Sequence, residues 1–187
     1  MGTLLLHACC APCSAAVIEW LVDRDVRPVL FYFNPNIFPR EEYDRRAMEC
    51  TRHATTLGLE IITGEYDHAA WLAAVTGLER EPERGARCAR CFEIRTRATA
   101  LLARERGIGL FATTLASSRW KDLAQISAAG QRAVTDLPDV TFLDRNWRKG
   151  GLDERRRALL ARYDFYNQSY CGCEFSATNR VSPPDRG

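Results

Sequence analysis

The stretch Leu4-Leu5-Leu6-His7-Ala8 is apolar at successive positions rather than at alternate ones, so a strand formed here is buried on both sides. It therefore belongs inside a sheet covered on both faces. Val26–Phe33, Glu60–Thr63, Leu110–Thr113 and Val140–Leu143 read as four further short strands. Between and after them lie helix-length segments, Cys13–Asp23, Arg40–Leu57, His68–Val75, Cys88–Arg106, Leu123–Gln131 and Asp153–Tyr163, the second and fourth followed by glycine. Strands alternating with helices predict an α/β fold with a parallel sheet, because each crossover must pack its helix back on the sheet. With 187 residues one core suffices, so residues 1–175 are expected to form one domain and 176–187, with Pro183 and Pro184, a disordered tail.

A composition of 46% hydrophobic and 27% charged residues is that of a soluble globular chain, and no run approaches the roughly 20 apolar residues of a membrane span. The opening Met-Gly-Thr lacks a basic leader, which predicts a cytoplasmic protein. A net charge of +2 by itself predicts no nucleic-acid partner. The cations are lopsided, however: Lys121 and Lys149 are the only lysines, and arginine is the better phosphate and base-stacking group. No Gly-x-x-x-x-Gly-Lys-Ser/Thr loop, Gly-x-Gly-x-x-Gly fingerprint or ferredoxin-type cysteine run is present. ATP and NAD thus have no sequence support, and electrons must come from another source.

Eight cysteines in a reducing compartment point to metal or redox chemistry rather than structural disulfides. Seven fall in three groups: Cys9, Cys10 and Cys13, Cys88 and Cys91, and Cys171 and Cys173. The first group sits where a strand turns into a helix, whose unpaired N–H groups and positive dipole end favour thiolate. If both junctions lie on the carboxyl edge of the sheet, Cys9, Cys10, Cys88 and Cys91 converge on one inorganic centre, either zinc or an iron-sulfur cluster. Spacing does not decide between them, although adjacent cysteines are unusual in structural zinc sites. Cys171-Gly172-Cys173 can bind metal or close a small, strained, redox-active disulfide. Cys50 reads as a core residue, His7 as a satisfied core histidine, and His53, His68, Arg45, Arg46, Glu49 and Arg52 as solvated.

Leu5-Leu6-His7-Ala8-Cys9-Cys10-Ala11-Pro12-Cys13, Phe31-Tyr32-Phe33-Asn34-Pro35-Asn36-Ile37, Glu42-Tyr43, Arg87-Cys88-Ala89-Arg90-Cys91-Phe92, Thr113-Thr114-Leu115 and Tyr170-Cys171-Gly172-Cys173 resemble the cobalamin-independent epoxyqueuosine reductases, the QueH family. The likeness runs from about Leu4 to Phe175. It implies a single-domain, Rossmann-like fold of the nucleotide-hydrolase superfamily without the ATP loop. It also implies reduction of epoxyqueuosine to queuosine at the tRNA wobble position, the last step of queuosine biosynthesis. Carried over, Cys9, Cys10, Cys88 and Cys91 hold a 4Fe-4S cluster and Cys171 with Cys173 form a redox-active pair. A second iron, contacted by Cys13 or the Cys171 pair, is implied too, although some members carry Asp where this chain has Cys13.

That reading calls for a tRNA anticodon loop as partner, an external electron donor of ferredoxin or flavodoxin type, and no membrane. Arg84, Arg87 and Arg90, together with Arg119 and Lys121, are the cations expected to meet RNA phosphate. Tyr166 and Tyr170 are candidate proton donors. Two other classes use the same residues: a zinc-stabilised RNA-binding module, and a metal-free thiol-disulfide oxidoreductase.

Overall fold

The computed structural model describes residues 2–178. Five parallel strands, β1 (Gly2–His7), β2 (Val26–Tyr32), β3 (Ile61–Thr63), β4 (Leu110–Thr113) and β5 (Thr141–Phe142), form one sheet in the order β3-β2-β1-β4-β5. The central β1 pairs Leu5 with Val29 on one side and with Phe111 on the other. This explains its unbroken apolar run: Leu4, Leu5 and Leu6 are all fully buried. Helices α1 (Ala11–Val22), α2 (Arg40–Thr56), α3 (His68–Ala74), α4 (Ala86–Glu105), α5 (Leu123–Ala133), α6 (Leu152–Arg162) and α7 (Glu174–Thr178) complete the described elements, with a 3-10 turn at Thr114–Ser117.

Alternation along the strands divides the core. Leu4, Leu6, Leu30 and Tyr32 pack with Val17 and Leu21 of α1 and Leu159 of α6. Leu5, Phe31 and Phe111 pack with Ala100 and Ala103 of α4 and Ala133 of α5. Gly130 lies inside α5 because a Cβ there would stand 2.2 Å from Cε1 of Phe142. A third cluster, Trp71, Val75, Cys91 and Cys173, ties α3 and α4 to the C-terminal segment.

Several boundaries differ from the sequence reading. Helix α1 starts at Ala11, since Pro12 presets the dihedral of a first turn. Helix α4 starts at Ala86, whose N–H is met from outside by Glu81 Oε2 at 3.0 Å. A 3-10 turn, Thr114–Ser117, follows β4 at once, ahead of α5. Helix α7 carries the ordered chain past Phe175 into the stretch expected to be a tail, and residues 179–187 lie outside the described residues. Strand order reverses between β1 and β4, and in such sheets ligands collect beyond the strand ends at that point. Cys9 and Thr114 follow those two strands directly.

Candidate active site

After β1 the chain stays extended through Cys10, the N-cap of α1, and then enters the helix. This single corner brings the sulfurs of Cys9, Cys10 and Cys13 within 4.8 Å of one another, all buried. Cys9 and Cys10 sulfurs are 3.9 Å apart. Thr114 fixes the corner from β4: its hydroxyl accepts from the Cys9 N–H at 3.0 Å and lies 3.4 Å from Cys9 Sγ. Hydrogen bonds with the Cys10 and Cys13 thiols hold Cys9 well below the ordinary thiol range, against the cost of burial and with help from Lys121 and Arg95. Cys13 is held well above it by its bonds to Cys10 and Cys9 and by burial. Cys10, though pulled down by Cys13, is pushed up to about 12 by Cys9 and by burial. A metal ion bound by these sulfurs would displace their protons, since thiolate is the ligating form.

The other thiols are assembled over long distances in the chain. Cys88 and Cys91 lie one turn apart in the first turns of α4, and both feel the Cys171 and Cys173 sulfurs electrostatically. Burial raises both, Cys88 to about 12. The C-terminal strap, residues 164–173, reaches them by crossing α2. Arg46 anchors it: Arg46 is 3% exposed, pairs with Glu42 at 2.7 Å, and donates to the carbonyls of Cys171 (3.1 Å) and Tyr170 (3.3 Å). Gly172, at φ +117°, passes so close that a Cβ would stand 2.9 Å from Arg46 Nη1 and from Ile37 Cγ1. Gln168, on the same strap, donates to Cys10 Sγ at 2.8 Å, so the strap touches both thiol groups.

A cavity of about 1280 Å³ lies between them, and Cys9, Cys10, Cys13, Cys88, Cys171 and Cys173 all line it. Arg95 links the two groups from α4: it bonds to Asn34 Oδ1, stands 4.0 Å from Cys91 Sγ, and acts electrostatically on Cys9. Lys121 also lines the cavity; burial works against its charged form, but the neighbouring cysteine sulfurs, Cys171 foremost, raise it above its ordinary value. The donors are all sulfur, buried except for the half-buried Cys88 and Cys171, and flanked by cations that offset the negative charge of metal-bound thiolates, so the lining could hold a metal ion or a cluster. All eight cysteines are free thiols, including Cys171 and Cys173.

The structure corrects four sequence expectations. Arg87 is 1% exposed and donates to the carbonyls of Leu78, Glu79 and Glu81, so it holds the loop before α4 and has no surface to offer RNA. Arg46 faces the strap, not solvent. His53 is buried edge-on against Tyr163 and Phe165. His68 donates from Nδ1 to Pro35 O at 2.7 Å and meets Glu174 through Nε2 at 2.9 Å. Arg90 is exposed and paired with Glu93, and Arg119 is exposed at the cavity. Tyr170 lines the cavity but gives its hydroxyl to Phe38 O, and Tyr166 gives its own to Glu42. His7 is neutral: burial, then Arg95, lowers it to about 3, Nε2 donates to Phe33 O and Nδ1 accepts from Thr113. Spacing did mark the two missed arginines, since Arg95 is four residues from Cys91 and Arg46 four from Glu42 and Cys50.

A family model described as "Epoxyqueuosine reductase QueH" matches residues 4–179. The chain belongs to the QueH family. It is thus an enzyme of a reductase family. Proteins named epoxyqueuosine reductase QueH match it at 43% identity over 173 residues in Histophilus somni (92% of this chain, 71% of that protein). One from Acinetobacter baylyi matches at 43% over 179 residues (95% and 82%), and one from Thermotoga maritima at 36% over 183 residues (96% and 93%). In architecture this QueH chain is similar to a crystal structure described as a predicted subunit of tRNA methyltransferase from Methanocaldococcus jannaschii. The TM-score is 0.55 at 15% identity, covering 86% of this chain and 75% of that one, a likeness of fold alone.

Proposed function

We propose that this QueH chain reduces the epoxide of epoxyqueuosine, at the wobble position of a tRNA anticodon loop, to the cyclopentene of queuosine. The observation that carries this reading is the opening of Cys9, Cys10 and Cys13 on one side and Cys88, Cys171 and Cys173 on the other onto one large cavity, with Cys91 buried behind its wall, in a chain of this family. The reaction consumes two electrons and two protons and releases the epoxide oxygen as water. Cys9, Cys10, Cys88 and Cys91 would hold a 4Fe-4S cluster, which when bound supplies one-electron chemistry at low potential. Cys13, beside Cys9 and Cys10, would contact a second iron.

The remaining chemistry belongs to the chain. Cys171 and Cys173 as thiols carry two protons and, on closing to a disulfide, release two electrons, which balances one epoxide reduction. An external ferredoxin- or flavodoxin-like donor would restore them. Arg46 holds their backbone, and Gln168 and Arg95 offer polar atoms to the substrate: Gln168 Oε1 and Arg95 Nε are buried without partners among the described residues. Arg90, Arg119 and Lys121 would meet phosphate, and wild-type RNA binding should weaken with salt. Reduced thiols fit a cytoplasmic reaction, and no helix among the described residues is long and apolar enough to cross a membrane.

The test is anaerobic incubation of iron-loaded protein with an epoxyqueuosine-containing anticodon stem-loop and dithionite, followed by nucleoside mass spectrometry. Loss of one oxygen atom from the modified nucleoside is expected. Unchanged nucleoside would overturn the reading. Activity that survives complete metal removal would make the chain a metal-free thiol oxidoreductase instead.

A further inference from the structure

Trp120 is 64% exposed, whereas Trp71 and Trp147 are buried and Trp20 packs against the core. A single exposed aromatic residue needs no explanation on its own, but three observations set this one apart. It lines the cavity that holds the thiols. Its backbone is clamped: Arg84 donates to the Trp120 carbonyl at 3.1 Å and the Arg119 carbonyl at 2.9 Å, and Arg148 donates to the Ser118 and Lys121 carbonyls. The ring is therefore presented by a fixed loop, so little order remains to be imposed on binding. Finally, the surrounding wall is basic. Arg119 lies 5.0 Å from the ring centroid, and Arg80, Arg84 and Lys121 line the same cavity against the one carboxylate of Glu83. None of these four cations belongs to the ion pairs found among the described residues, although the Arg84 guanidinium is engaged by the two loop carbonyls.

From this geometry we infer that Trp120 is a stacking platform for an unpaired nucleobase next to the one that enters the cavity, with Arg119 and Lys121 on the adjoining phosphates. An apolar ring framed by cationic side chains complements a base on its sugar-phosphate chain, because the ring covers the π-face while the cations meet the backbone. The inference rests on the proposed substrate being a single-stranded RNA loop. It adds a contact outside the thiol chemistry.

The test measures binding of cluster-loaded wild type, Trp120→Phe and Trp120→Ala to the anticodon stem-loop across a salt series, using loops intact or abasic at either neighbour of the modified nucleotide. Trp120→Ala should weaken binding about tenfold to hundredfold, Trp120→Phe much less, and neither should change the salt slope, which counts phosphate contacts. One of the abasic loops should weaken wild type but not Trp120→Ala further. Equal affinity of wild type and Trp120→Ala would overturn the inference. So would unchanged RNA affinity combined with slower turnover from a protein electron donor but not from dithionite, which would make Trp120 a donor-docking residue. If wild type itself fails to bind the stem-loop, the RNA reading falls and this inference with it.

Discussion

The two thiol groups that face one another across the cavity are built in opposite ways. Cys9, Cys10 and Cys13 owe their proximity to one strand-to-helix corner, backed by the buried Leu4, Leu5, Leu6 and His7 of β1 and pinned by Thr114. Cys171 and Cys173 reach Cys88 and Cys91 of α4 because a strap from the end of the chain is drawn across α2 by Arg46 and Glu42. The first geometry is local and stands on the core; the second hangs on a buried ion pair and a glycine. Substitutions far from the cavity should therefore damage the second group far more than the first.

The largest effects should come from the sulfurs themselves. Serine at Cys9, Cys10, Cys88 or Cys91 should abolish turnover and strip iron together, whereas serine at Cys171 or Cys173 should abolish turnover with the iron retained. Parallel loss of iron in the Cys171 variant would erase the distinction. Next comes the anchor: Arg46→Gln leaves the Glu42 carboxylate buried without its partner and should cost about 3 kcal/mol in chemical unfolding. It should also speed alkylation of Cys171 more than that of Cys9 in metal-free protein. Equal labelling rates would show that the strap does not depend on Arg46. Gly172→Ala, at φ +117° and against Arg46 and Ile37, should lower turnover and cost about 1–3 kcal/mol in chemical unfolding.

The smallest expected effect involves pH. Burial, with Arg52 adding to it, lowers His53 below its ordinary value. The unfolded chain therefore binds the extra proton, and this contribution to stability is present above about pH 6.5 and lost as pH falls below it. His53→Phe, which keeps an aromatic against Tyr163 and Phe165, should flatten that slope, measured as melting temperature between pH 7 and pH 5 (roughly the window in which free histidine titrates). An unchanged slope would assign the pH dependence elsewhere.

Much of the architecture was legible because periodicity reports burial. The triple leucine of β1 and the alternation of strands and helices both express local rules. The thiol corner was legible for the same reason. What escaped were groups whose role depends on distant chain. Arg46 and His53 sit on a helix with abundant charge, and nothing local says that a strap will cover them. Arg87 sits beside a candidate ligand and reads as a free cation until its carbonyl partners, set by the loop before α4, are seen. Helix α7 is five residues long, too short for a periodic signal.

The most direct test is an iron and acid-labile sulfide determination with a visible spectrum on anaerobically prepared wild type, Cys88→Ser and Cys171→Ser. A cluster spanning both sides of the cavity predicts about four sulfides per chain in wild type with about four irons, or five when the iron beside Cys13 is also bound, near-complete loss in Cys88→Ser, and wild-type content in Cys171→Ser. Colourless, zinc-loaded wild type, or a Cys88→Ser variant with its iron and spectrum intact, would contradict it.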